Sequence, residues 1–346
     1  MNGGLPAATL KLTSALRRVR LPETIQTRPI PGDEGDVCAF TVPSGSAPFM
    51  VESTSGRFMT IAAGDVFLAT PGYRESTRWV VGGIPAGGLI PESDYWVLSD
   101  SGIVGDLVGD SPLEKAHLAQ VRYLGAACIE RDGPLNIREF AAGAEAPAQD
   151  GQTPVYLILG TSSEVGKTTA GVAVLRALRQ KPNRRVTAFK ATGTSSISEL
   201  AMYRDFGAQE AVDCVDFGLP STYPSGRPDI GAVFERALDY CLSRPGDALI
   251  VECGGDLFGA NVPEFLACLK ARRDAPTVVL AASDALAAIG AKQVLTEMGL
   301  AIALISGPCT DTPTLRERTQ KLCDVPALNL ARDADNGIRA LTAATA

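Results

Sequence analysis

The stretch Val155–Arg179, VYLILGTSSEVGKTTAGVAVLRALR, constrains the fold of this chain more than any other. Its apolar opening, Val155 to Leu159, predicts a buried parallel strand. A turn of small residues follows from Gly160 to Lys167. A helix is expected from about Thr168, with Ala170, Val172, Ala173, Val174, Leu175 and Leu178 giving it a broad apolar face. Strand, glycine-containing loop and helix in this order are the context of a phosphate-binding loop. Such a loop aims several unpaired backbone N–H groups at one point, where the helix dipole also favours negative charge. Gly166 lets the backbone approach a phosphate, Lys167 supplies a mobile cation, and the Thr168 hydroxyl is placed to ligate Mg²⁺. The candidate cosubstrate ligands are Gly160, Thr161 and the run Glu164-Val165-Gly166-Lys167-Thr168-Thr169. The common spacing is G-x-x-x-x-G-K-[ST]; here Thr161 stands at the first glycine position, with Gly160 one place earlier.

That departure has a counterpart. G-T-S-S-E-V-G-K-T resembles the G-T-D-T-x-V-G-K-T loop of dethiobiotin synthetase, within the branch of P-loop proteins that includes the MinD-like and cobyrinate amidotransferase families. A second strand, Arg185 to Phe189, ends at Lys190, and a side chain at a strand's carboxyl end faces the ligand crevice of an open α/β sheet. In dethiobiotin synthetase a lysine stands at the corresponding strand end, followed by proline; here Ala191 follows. Asp247 to Asp256, DALIVECGGD, reads as a buried strand whose last side chain, Glu252, meets the crevice. A buried acid there needs a cation or a hydrogen-bonding partner to stay ionised. The element resembles V-E-G-A-G-G of the same family, and the resemblance gives Glu252 the metal-binding place, with Cys253 and Gly254 replacing Gly and Ala. The base-recognising Asn that follows the next-to-last strand in that family is replaced by Ser306-Gly307-Pro308.

Between these elements Asp213 and Asp216 flank a short apolar run, and Arg227 follows in a loop. Carboxylates near a phosphate loop can hold Mg²⁺, take a proton from an amine, or bind a ribose. Asp216, directly before the Phe217-Gly218-Leu219-Pro220 turn, is the preferred candidate. A second resemblance shares the loop, the run Phe189 to Thr194, the run Val212 to Phe217 and the V-E-x-x-G element. These are similar to the P-loop family that includes D-glutamate N-acetyltransferase.

Strands and helices alternate to the end of the chain, which calls for a parallel sheet covered by helices on both faces. The expected architecture is therefore a P-loop NTPase-type α/β domain over 155–346. It is preceded by an Ala-, Gly- and Pro-rich linker at 141–154 and a smaller β-rich or mixed N-terminal domain at 1–140. Residues 1 to about 25 read as a leader with a short amphipathic helix, Thr13 to Val19. The stretch around His117, SPLEKAHLAQVRYL, reads as a polar helix. Turns at Thr70–Ser76 and Leu98–Gly102 gather polar residues on apolar strands, where binding groups tend to sit. The task of this half is expected to be substrate selection or homo-oligomerisation.

The net charge of −7 disfavours nucleic acid as a partner. No apolar run approaches the roughly 20 residues of a membrane span, and the first 21 residues lack a signal-peptide core of adequate length, so export is not expected. With eight cysteines and no C-x-x-C pair, the chain reads as reduced and cytoplasmic. A single histidine excludes a multi-histidine metal centre.

The first functional expectation is an ATP- and Mg²⁺-dependent enzyme that phosphorylates or ligates a small carboxylate- or amine-bearing metabolite. Lys167, Lys190, Asp216 and Glu252 are its catalytic candidates, and Thr168 and Glu252 its metal ligands. The alternative is an N-acyltransferase whose loop grips a phosphate of acetyl-CoA while Asp216 or Glu252 takes the amine proton. A third reading is a non-catalytic nucleotide switch.

Overall fold

The computed structural model describes residues 5–6, 10–76, 80–110, 118–129, 132–143, 153–181, 183–244, 246–272 and 275–333. Two compact units divide them. The first takes in Met1–Ala142 together with Thr194–Ser198 and Asp213–Ser225; the second takes in Gly143–Gly193, Glu199–Val212 and Gly226–Ala346.

The first unit is β-rich. Strands Gln120–Ile129, Cys38–Thr41, Val66–Pro71, Ile103–Asp110 and Asp94–Val97 pair in sequence, and the last pairs again with the first, so the sheet closes on itself. Closure removes free edges, and the period-2 alternation of each strand sorts its side chains to two faces. Cys38, Phe40, Phe67, Ala69, Tyr95, Val97, Val121 and Tyr123 fill one core cluster. Ala39, Leu68 and Ala127, at the alternate positions, pack in another with Leu16 and Ile25.

Two expectations for this half change. The leader is built in: Thr24–Arg28 is a strand paired to Gln120–Ile129, and Thr13–Val19 holds a 3-10 turn at Ser14–Leu16 in place of an amphipathic helix. The C-terminal part of the helix-like stretch around His117 is the start of the ten-residue strand Gln120–Ile129, whose alternate residues Val121 and Tyr123 are buried. His117 itself lies outside the described residues.

The second unit is a six-stranded sheet with helices. In chain order its elements are β1 (Val155–Gly160), α1 (Lys167–Leu178), β2 (Val186–Thr192), α2 (Ile197–Asp205), β3 (Glu210–Asp213), α3 (Ile230–Ser243), β4 (Ala248–Cys253), α4 (Val262–Lys270), β5 (Thr277–Ala281), α5 (Ala285–Glu297), β6 (Ile302–Ser306) and α6 (Pro313–Cys323). The strand order is β3-β2-β4-β1-β5-β6, and β2, β4, β1, β5 and β6 run parallel. Leu157, Ile158, Leu159, Ile250, Val251, Val279 and Leu280 are fully buried. Strands covered on both faces need continuous apolar runs, which is why β1 and β4 show no alternation. Each such side chain contributes about 1.5–3 kcal/mol through burial.

The chain leaves β1 toward β2 and β3 on one side and later returns to β5 and β6 on the other. That reversal sets the crevice of the sheet at the carboxyl end of β1. Eight free cysteines are present, seven of them buried, as the sequence reading expects. No helix among the described residues is long and apolar enough to cross a membrane.

Candidate phosphate-binding site

β1 ends at Gly160, the loop follows, and α1 begins at Lys167. Gly166 precedes the helix with φ 87°, a left-handed conformation that L side chains adopt only under strain. Gly160 has a different purpose. A Cβ there would lie 2.7 Å from Lys167 Cδ and 2.9 Å from Val165 Cγ2, so the glycine makes room for the lysine to fold back over the strand end. The displaced first glycine of the motif thus serves the lysine's path. Thr161 pins the other side of the loop: its backbone N–H donates to Ala281 O (3.0 Å), and its Oγ1 accepts from Ser283 N (3.2 Å).

Lys167 is buried, and its Nζ donates to Ser162 O (2.7 Å) and Gly255 O (2.8 Å). Burial pulls its pKa below the ordinary lysine value and the charge of Lys190 pushes the same way, while Glu252 opposes both. Thr168, the first residue after it, donates its hydroxyl to Glu252 Oε1 at 2.9 Å. Glu252 sits in β4 directly beside β1, in register with Ile158, and is 3% exposed. The predicted apposition of loop and acid is therefore present.

The second oxygen of Glu252 has a partner that sequence reasoning missed. Tyr203 in α2 donates its hydroxyl to Glu252 Oε2 at 2.7 Å. Burial and the neighbouring carboxylate hold the Tyr203 phenol well above its usual pKa, so it stays a donor. Room for it comes from Gly171 in the middle of α1, where a Cβ would lie 1.9 Å from the Tyr203 oxygen. A glycine inside a helix costs about 1 kcal/mol against alanine, and that cost was the available sequence signal for a close approach.

Lys190, buried at the end of β2, lies in register with Glu252 and is ion-paired to Glu199 of α2. Cys253, next to Glu252, is buried, and burial pushes its thiol up to about 12, which disfavours the thiolate.

Asp216 belongs to the first compact unit, in a 3-10 turn at Cys214–Phe217, and accepts from Arg17 Nη2 (2.6 Å), Arg18 Nη1 (3.3 Å) and the Asp213 backbone N–H (3.0 Å). Asp213 shares Arg17 at 2.6 Å. These carboxylates neutralise a buried arginine.

On the far side of the loop is a cavity of about 160 Å³, lined by Gly166 and Thr169 on one side and Ser306, Gly307, Asp311 and Asn329 on the other. Asn329 Nδ2 donates to Asp311 Oδ1 (2.8 Å), fixing both side chains at its rim. Among the described residues no group of three or more His, Cys, Asp or Glu could hold a metal ion unaided.

The second unit is thus a largely parallel α/β sheet with a glycine-containing loop between its first strand and first helix. No family model and no curated protein matches the chain. Among solved structures it is similar to chloroplast FtsY from Physcomitrella patens, at 14% identity over 59% of this chain and 70% of that one, with a TM-score of 0.38. It is also similar to the signal recognition particle 54 kDa protein from Aeropyrum pernix K1 in complex with GDP, at 15% identity over 60% and 53% of the two chains, TM-score 0.34. A third is a DUF1611 family protein from Anabaena variabilis, at 13% identity over 60% and 63%, TM-score 0.38. The chain spans less than two thirds of the length of the last two. Likenesses this weak carry no argument, and the functional reading rests on the geometry.

Proposed function

We propose that this protein is a nucleotide- and Mg²⁺-dependent enzyme, with ATP as the cosubstrate, that transfers a phosphoryl group to, or ligates, a small carboxylate- or amine-bearing metabolite. The observation that carries the reading is the Thr168–Glu252 hydrogen bond beside the buried Lys167, at the carboxyl ends of two adjacent parallel strands. The loop amides and Lys167 hold the β- and γ-phosphates, while Lys190 faces the negative charge that develops on the transferred group. The cavity beside Thr169, at about 160 Å³, borders the loop and has room for part of the nucleoside.

The donor set fits Mg²⁺. A hydroxyl and a carboxylate are hard oxygen ligands, and this ion is ordinarily bound by one or two carboxylates plus substrate phosphates, with no protein cage of its own. When bound it neutralises phosphate charge. The protein's own part is positioning and electrostatics: Tyr203 orients Glu252, Glu252 orients Thr168, and burial keeps bulk water from Lys167. The resemblance of the loop and of the Glu252 element to dethiobiotin synthetase supports ligation as the chemistry.

The test is nucleoside diphosphate formation from ATP or GTP with Mg²⁺ in the presence of pooled small carboxylates and amines. Turnover stimulated by one pool, and lost at least tenfold in Glu252→Gln with its fold intact, is the expected outcome. Acyl transfer from acetyl-CoA with no nucleotide consumed by any pool would overturn it.

A further inference from the structure

Between the C-terminal end of α1 and the start of β2 the chain reads Arg179-Gln180-Lys181-Pro182-Asn183-Arg184-Arg185. The described residues of this run and the turn Gly207–Gln209 enclose a second cavity in the same unit, of about 520 Å³. Its lining holds four cations, Arg179, Lys181, Arg184 and Arg185, and no carboxylate. The chain as a whole carries a net charge of −7, so this concentration of one sign runs against its composition.

Arg179 is fixed in place. Its Nη1 donates to Gly207 O at 2.7 Å, and its guanidinium lies so close to Gly207 that a Cβ there would sit 2.7 Å from Cζ and Nε. Asp205 and Glu210, which flank Gly207–Gln209 in sequence, are not among the lining residues, and Asp247 has a carboxylate oxygen taken by the Arg185 backbone N–H at 2.7 Å. Among the described residues, Lys181, Arg184 and Arg185 form no ion pair with an acid. Four like charges around one concavity repel each other, and low-dielectric walls focus their field into it. A bound anion relieves that repulsion.

We propose that this cavity is a binding site for a soluble, multiply charged phosphate anion of the pyrophosphate or nucleoside-polyphosphate class, separate from the phosphate loop. Its volume falls in the range of small-molecule pockets, about 300–1,000 Å³. Arginine forks suit bidentate recognition of phosphate oxygens. A concave site of this size fits a compact ligand better than a membrane surface or a nucleic-acid backbone, for which the chain's acidity is also unfavourable.

The test uses the full chain carrying Lys167→Ala, so that the phosphate loop is disabled, and titrates it with tripolyphosphate by calorimetry. One equivalent is expected to bind, more weakly as salt rises toward a Debye length of about 8 Å. Adding Arg184→Gln and Arg185→Gln is expected to weaken binding about tenfold or more. If the double substitution lowers the unliganded melting midpoint, Lys181→Gln and Arg185→Gln, each at an exposed position, give the same readout singly. No binding by Lys167→Ala, or binding unchanged by the arginine substitutions, would overturn the proposal. So would sedimentation with phosphatidylserine vesicles through the same arginines in the absence of tripolyphosphate binding. The phosphate loop is inactive throughout, so the result stands or falls apart from the proposed enzymatic function.

Discussion

Tyr203 fixes the one acid the site depends on. Glu252 is buried and offers two oxygens, one taken by Thr168 and one by Tyr203. Removing the phenol leaves a carboxylate oxygen buried without its donor and free to rotate, a loss of about 1.5–3 kcal/mol for a hydrogen bond to a charged group. Outer partners of a metal ligand typically change metal affinity 10–100-fold. Tyr203→Phe is therefore expected to raise the Mg²⁺ concentration needed for half-maximal nucleotide binding by roughly tenfold or more, with little change in nucleotide binding once Mg²⁺ saturates. Gly171→Ala, which pushes a methyl into the same oxygen, is expected to do the same. A Mg²⁺ titration of nucleotide binding checks both, and an unchanged midpoint would remove Tyr203 from the site. The pair was invisible beforehand because nothing in α1 or α2 alone states that a glycine and a tyrosine 32 positions apart (203 − 171) meet. The glycine's cost to the helix was legible; its reason was not.

Among the elements, β1 and β4 could be read directly from the chain because strands buried on both faces write continuous apolar runs ending at functional residues. The closed sheet of the first unit could not be read so well. Its strands alternate, several are only four residues long, and the strand residues from Gln120 continue a stretch whose sequence reads as a polar helix. Asp216 shows the same limit at long range. Its local setting, an acid before a constrained turn, reads as a catalytic carboxylate, and nothing in it states that Asp216 pairs with Arg17, 199 residues away in sequence. The start of α2 is a further case. Glu52, 1% exposed, accepts the Ile197 and Ser198 backbone N–H groups at 3.1 Å and the Ser14 and Ser196 hydroxyls at 2.8 and 3.3 Å. A carboxylate thus satisfies the Ile197 and Ser198 N–H groups from about 145 residues away in sequence. Glu52→Ala removes the acceptor of the Ile197 and Ser198 backbone N–H groups, and urea unfolding is expected to show a loss of about 3 kcal/mol. A loss below about 0.5 kcal/mol would show that the cap is dispensable.

For the molecule as a whole, the first unit gathers three stretches of chain, and two of them, Thr194–Ser198 and Asp213–Ser225, follow directly from β2 and β3. Charged groups seal that arrangement: Arg17 is 8% exposed and joins Asp213 and Asp216, so the N-terminal half cannot bury this cation without residues from the C-terminal half. At this scale the chain's length allowed two domains, and composition and charge set only its broad class. They could not reveal that the chain crosses between the two units more than once. The central claim, that the amides around positions 160–168 close on a phosphate of a nucleotide, is a statement about the native state, and a ligand bound only there raises the melting temperature by mass action. The decisive measurement is the melting midpoint of the full chain with ATP, GTP or acetyl-CoA, each with and without Mg²⁺, beside Lys167→Ala. A Mg²⁺-dependent rise with ATP that vanishes in Lys167→Ala is the result expected. A rise with acetyl-CoA and none with either nucleotide, or a nucleotide shift indifferent to Lys167, would contradict it.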